Sequence, residues 1–205
     1  NTDLFALITD VQSVFEQRIQ AKGLAFCLDY HFPLPRYAKV DPTRIKQVVL
    51  NLLGNALKFT EEGSVTLQLN YDVISNHLEF SVIDTGVGMT EPQQEKIFDA
   101  FTQADISTTR SYGGTGLGLN IVKQLLQLMG GEVSVKSEID KGSIFRAKIP
   151  ITYENTQDFI TSLEQLTPHQ KTKNNKRIPA LNGNILYAED NPVNQHLVRS
   201  PKNRS

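Results

Sequence analysis

Residues 41–84 read DPTRIKQVVLNLLGNALKFTEEGSVTLQLNYDVISNHLEFSVID, and this stretch decides the fold class. Asp41 is a good N-cap, and Pro42 suits the first helical position, where its missing N–H costs nothing. Ile45, Val48, Val49, Leu52, Leu53, Ala56 and Leu57 then recur at helical spacing, so the helix is expected to run to about Phe59. From Ser64 the period changes to two, with Val65, Leu67 and Leu69 alternating with polar residues up to Tyr71. A second strand is expected over 77–84. Strands in direct succession form a hairpin, so the sheet they enter is at least partly antiparallel.

Upstream, Leu4, Leu7, Ile8, Val11, Val14, Phe15 and Ile19 predict a helix over 3–22, stopped by Gly23. LAFCLDY at 24–30 alternates as a strand, and a Pro-containing loop leads to Asp41. Downstream, a helix is expected near 91–97, then a polar, Gly-rich stretch from 99 to 118. A helix over 119–129 and strands over 132–138 and 143–151 follow, turned at Gly130-Gly131 and Lys141-Gly142. This order predicts an α/β two-layer sandwich: a mixed, largely antiparallel sheet with helices on one face. A linker is expected over 153–183, with 153–166 read as one more helix and HQKTKNNKR at 169–177 as unpatterned chain.

Hydrophobic residues make up 39% and charged residues 21%, which excludes a disordered chain. A net charge of −1 provides no basic field, so no nucleic-acid partner is expected. No apolar run approaches the roughly 18 residues that cross a bilayer, so no direct membrane contact is expected in this piece. Cys27 is the lone cysteine, which rules out an internal disulfide and fits a cytoplasmic location. NTDLFALITD has no basic leader, and the chain starts without Met, which reads as a fragment of a longer protein.

Three constellations could carry chemistry. On the 42–59 helix, Gln47, Asn51, Asn55 and Lys58 line up along the face opposite the apolar one. Asparagine is a poor helix former, and its amide oxygen suits a hard cation such as Mg²⁺ that also takes phosphates, while Lys58 would add positive charge. The alternative is an ordinary wet face. Next, Ile83-Asp84-Thr85-Gly86-Val87-Gly88 ends a strand on a carboxylate. Asp84 could accept from an exocyclic amine such as adenine N6, with Gly86 and Gly88 letting the base approach; the alternative is a capped turn. Third, Gly113, Gly114, Gly116 and Gly118, with Thr115 and Leu117 between them, precede a helix start and make an anion site of backbone N–H groups. Phe98 and Phe101 could pin a polar lid in which Arg110 reaches a terminal phosphate. The pattern is neither Walker A nor G-x-G-x-x-G, and the His-Arg-Asp and Asp-Phe-Gly signatures are absent.

In this order the elements resemble the ATP-binding fold of the GHKL superfamily (gyrase, Hsp-type chaperones, histidine kinases and MutL-type repair proteins), also called the Bergerat fold. The resemblance covers about residues 1–151. It is closest to the histidine kinase branch, in its N box (Asn51, Asn55, Lys58), G1 box (Asp84, Gly86, Gly88), F box (Phe98, Phe101) and G2 box (Gly114, Gly116, Gly118). Lys141-Gly142-Ser143-Ile144-Phe145 is similar to the family's closing Gly-Thr-x-Phe element, with Ser143 for Thr. The resemblance implies that ATP and Mg²⁺ are the cofactors, that Asn51 and Asn55 hold the metal, and that Gly114–Gly118 cradle the triphosphate. Hydrolysing members carry a Glu where this chain has Asn51, and an amide cannot take a proton from water. Transfer to a protein nucleophile is then the expected chemistry, with a hydrolysing ATPase or a non-catalytic nucleotide-binding module as rivals.

The nucleophile is implied to be a histidine on a separate dimerisation domain. His31, His77, His169 and His196 are none of them in a phosphoacceptor-type helix. The 1–22 segment resembles the helix joining that domain to the ATP-binding domain at 23–152. Ile185 to Gln195 resembles the start of a receiver, with Glu189-Asp190 as its acidic pair. Residues 184–205 are therefore expected to be a truncated receiver, and a receiver domain or response regulator is implied downstream. Pro201 to Ser205 departs from the helix expected there.

Overall fold

The computed structural model describes residues 1–99, 117–155 and 158–166. The compact unit runs from Asn1 to Thr167. A two-residue strand β1 (Thr2–Asp3) leads into helix α1 (Leu4–Ala21), where the Asp3 carboxylate accepts the Phe5 and Ala6 N–H groups at 3.1 Å. Strands β2 (Ala25–His31), β3 (Leu34–Pro35) and β4 (Tyr37–Ala38) precede α2 (Pro42–Phe59), whose bounds match the expectation. Asp41 caps α2 by accepting from Thr43 and Arg44 N–H at 2.9 and 3.2 Å. The hairpin β5 (Ser64–Asp72) and β6 (His77–Asp84), helices α3 (Glu91–Lys96) and α4 (Gly118–Leu128), and the hairpin β7 (Glu132–Glu138) and β8 (Gly142–Pro150) complete the frame.

The main sheet has the order β2-β5-β6-β8-β7. Only β2 and β5 pair in parallel, joined through α2; the other three pairings are antiparallel. Val65, Leu67, Leu69, Leu78, Phe80, Val82, Phe145, Ala147 and Ile149 bury one face. Thr66, Gln68 and Asn70 stand on the other, half-buried. Helix α2 packs between α1 and α4, and all three pack on the sheet, with Leu4, Ile8, Val11, Val49, Leu52, Leu53 and Val122 in a single core. The two-layer α/β sandwich expected from the sequence is the fold. Val14 does not join the core despite its helical spacing and stays 47% exposed.

The described residues within 153–166 do not form the expected helix. Strand β9 (Phe159–Ile160) pairs antiparallel with β3, and a 3₁₀ turn follows at Leu163–Leu166. The cause is tertiary: Phe159 packs on Tyr153 and Tyr71, with ring centroids 5.0 and 5.5 Å apart. The compact unit therefore extends beyond 152. The loop before Asp41 is also more ordered than a bare connection, since Arg36 accepts the Leu4 N–H through its carbonyl and donates its own N–H to Asp158, both at 2.9 Å. The rest of the expected linker and the receiver-like segment, with His169, Glu189, Asp190 and His196, lie outside the described residues.

Candidate functional site

The wet face of α2 lies where the helix meets the start of α4. Gln47 is exposed, and Asn51, Asn55 and Lys58 are half-buried. Asn51 spends its amide donor on its own helix, giving Nδ2–H to the Gln47 carbonyl at 2.8 Å. Its Oδ1 is left facing α4, where a Cβ added to Gly118 would stand only 3.2 Å from it. Leu117 caps α4 with no side-chain acceptor, so the first-turn N–H groups of α4 are not taken by a capping side chain. An amide oxygen thus faces a helix N-terminus, with glycine at the point of closest approach. An open depression of about 430 Å³ runs along α2 from Thr43 past Lys46, Gln47 and Leu50 to Asn51. The Lys58 ammonium sits 4.8 Å from the Phe59 ring centroid.

At the other end of α2, β6 delivers Asp84 into the interior. It is the one buried carboxylate among the described residues, at 5% exposure. Burial pushes its carboxyl above the usual carboxylate range, while N–H bonds from Gly86 and Ser143 pull in the opposite direction. The Gly86 bond is 2.9 Å long. Ser143 is itself buried, and its hydroxyl lies 2.9 Å from that of Ser137.

The glycines of this loop serve packing first. A Cβ at Gly86 would strike the Phe59 carbonyl, and Gly88, with φ 65°, has no room against the Glu138 backbone. Gly142, with φ 102°, is similarly closed in by the Asp84 backbone. Gln94 of α3, unremarkable in the sequence, braces the same loop by donating to the carbonyls of Met89 at 3.2 Å and Ser137 at 2.9 Å. Thr60, completely buried just after α2, carries a hydroxyl with no hydrogen-bond partner among the described residues.

Phe98 is a packing residue, edge-on to Phe145 at 6.4 Å, and its carbonyl accepts from Asn120 Nδ2 at 3.0 Å, which ties the end of α3 to α4. Phe101, Arg110, Gly114, Thr115 and Gly116 lie outside the described residues, whereas Leu117 and Gly118 stand at the head of α4. No described cluster of three His, Cys, Asp or Glu residues could hold a metal. The available oxygens are amides, a donor set suited to a hard cation that completes its shell with water and phosphate. No described helix is long and apolar enough to cross a membrane.

Comparison with known proteins places these features in one family. The profile of the histidine kinase-, DNA gyrase B- and HSP90-like ATPases matches residues 40–153. The autoinducer 2 sensor kinase/phosphatase LuxQ of Vibrio vulnificus is 34% identical over 205 residues, covering 97% of this chain and 23% of its own. The signal transduction histidine-protein kinase BarA of Escherichia coli is 38% identical over 145 residues, covering 69% and 16%. The aerobic respiration control sensor protein ArcB of Escherichia coli is 34% identical over 201 residues, covering 97% and 24%. The chain thus spans about a quarter or less of the length of these relatives. Among solved structures, full-length ShkA in complex with AMPPNP superposes with a TM-score of 0.67 at 35% identity, over 75% of this chain and 31% of that one. The catalytic domain of the histidine kinase ThkA gives 0.62 at 31% identity, over 72% and 94%.

Proposed function

Because the chain belongs to the family of histidine kinase-, DNA gyrase B- and HSP90-like ATPases, we propose that it is the nucleotide-binding catalytic part of a sensor histidine kinase. In this reading it binds ATP and passes the γ-phosphoryl group to a histidine on a separate dimerisation domain. A receiver domain or response regulator would take the phosphoryl group onward, and the reaction would take place in the cytoplasm. The observation that carries the reading is Asp84: a buried carboxylate, held by two backbone N–H groups, in a loop bounded by glycines that tolerate no side chain. A buried charge is costly unless a ligand uses it, and an exocyclic amine is the donor it fits.

The residues divide the work. Asp84 accepts from the adenine amine. The α4 N-terminus, beginning at Leu117 and Gly118, faces the phosphates, with Gly114, Thr115 and Gly116 expected to extend the cradle. Lys58 and Arg110 are assigned to phosphate charge. Asn51 and Asn55 are the groups that would hold Mg²⁺, which would supply positive charge to offset that of the phosphates. Asn51 also argues for transfer over hydrolysis. Its Nδ2 already donates to Gln47, and its oxygen accepts no proton, so nothing at this position activates a water.

The test is to mix the chain with a histidine-bearing dimerisation domain, ATP and Mg²⁺. Acid-labile phosphate on the added domain is the expected result. Brisk phosphate release with no acceptor present would favour a hydrolysing ATPase and overturn the assignment.

A further inference from the structure

The C-terminal end of α2 is a junction. The last four carbonyls of a helix have no partner within it, so where they find one shows what the helix end is tied to. Ala56 O accepts the Thr60 N–H at 3.0 Å, an ordinary cap. Phe59 O accepts the Val87 N–H at 3.3 Å, tying the helix to the loop that carries Asp84. Leu57 O accepts from the Lys22 ammonium, which also donates to Thr60 O, both at 2.7 Å. Lys22 is the first residue after α1, so one side chain joins the end of α1 to the end of α2. A cation against a helix C-terminus is also favoured by the helix dipole.

Three contacts then run in series. Lys22 fixes the last turn of α2. That turn fixes the loop at Phe59 O, where Val87 is bonded and a Cβ on Gly86 would collide. Gly86 N–H in turn holds Asp84 Oδ1 at 2.9 Å.

We propose that Lys22 is a positioning residue for the nucleotide, holding the Asp84 loop through the end of α2 and thereby linking the α1 terminus to the adenine site. The inference rests on the reading of Asp84 as the adenine acceptor. It goes further in assigning a role to a residue that touches no ligand and lies in the turn after α1. Lys22 itself is exposed, so its removal opens no cavity, and water replaces the ammonium at both carbonyls. What is lost is the fixed geometry of the turn.

The experiment compares ATP affinity by calorimetry, and backbone amide exchange without nucleotide, in this chain and in its Lys22→Met and Lys22→Arg variants. Lys22→Met is expected to weaken ATP about 3- to 10-fold, the scale of losing one charged contact at a helix end. It should speed exchange at Val87, whose N–H is bonded to Phe59 O, while the β8 amides exchange as before. Lys22→Arg should restore most of the affinity, since it returns a cation with several donors. Wild-type affinity in Lys22→Met would overturn the inference, whatever the melting temperature does. So would weakened binding accompanied by uniform acceleration across β8, because that is a global loss of stability. Failure of the unaltered chain to bind ATP would instead overturn the proposed function, and this inference with it.

Discussion

Replacing Asp84 with Asn keeps the shape of the side chain and removes its charge, which separates the carboxylate's function from its cost. If Asp84 accepts from the adenine amine, the variant loses a hydrogen bond to a charged acceptor, about 1.5–3 kcal/mol, or roughly 10- to 150-fold in ATP affinity near pH 7. The nucleotide-free protein should respond to pH in the opposite sense from most paired carboxylates. Burial raises the folded carboxyl above its unfolded value. Between the two values the folded state holds the proton and the unfolded state has lost it, so stability falls as pH rises through that window and returns on acidification. Wild type should therefore gain stability relative to Asp84→Asn as pH drops through the window. ATP affinity of the wild type should fall over the same range, because the protonated acid no longer offers the amine a charged acceptor. Calorimetric titration with ATP, and thermal melts of both proteins without nucleotide across that range, measure the two effects. Equal ATP affinity in the two proteins refutes the adenine assignment. A stability difference that does not change with pH refutes the electrostatic argument.

Asn55→Ala should abolish Mg²⁺-dependent nucleotide binding with an unchanged circular dichroism spectrum; retained binding would show the α2 stripe to be an ordinary wet face. The unaltered chain should release phosphate from ATP very slowly, since an amide at position 51 forgoes the roughly 10²- to 10⁴-fold help of a general base, and a phosphate-release assay without acceptor checks it. Gly88→Ala should destabilise the fold by about 2–4 kcal/mol in denaturant titration, combining a left-handed backbone with collision against Glu138. Thr60→Val should be neutral or stabilising by up to about 1 kcal/mol, because the buried hydroxyl has no partner to lose; a clear destabilisation would contradict that.

Secondary elements were legible from the amino-acid order wherever a local device specified them. Asp41 and Pro42 set the start of α2, the two-residue period set β5 and β6, and the direct succession of hairpins set an antiparallel sheet. The amide side chains at i and i+4 and the carboxylate before two glycines were legible as candidates, because both are local patterns. Tertiary structure alone decided the rest. Residues 153–166 read as one more helix, yet Phe159 packs on Tyr71, eighty-eight positions away, and a short helix is marginal in water. At Gly88 the sequence suggests room for a base; only the fold shows that the backbone of Glu138, fifty positions on, leaves no space for a side chain there. The direction of the Asn51 oxygen toward Gly118, the burial that raises the Asp84 carboxyl, and the reach of Lys22 to the end of α2 each depend on where a distant segment lands. Local pattern fixes what a residue can do, and only packing brings it the partner with which it does it.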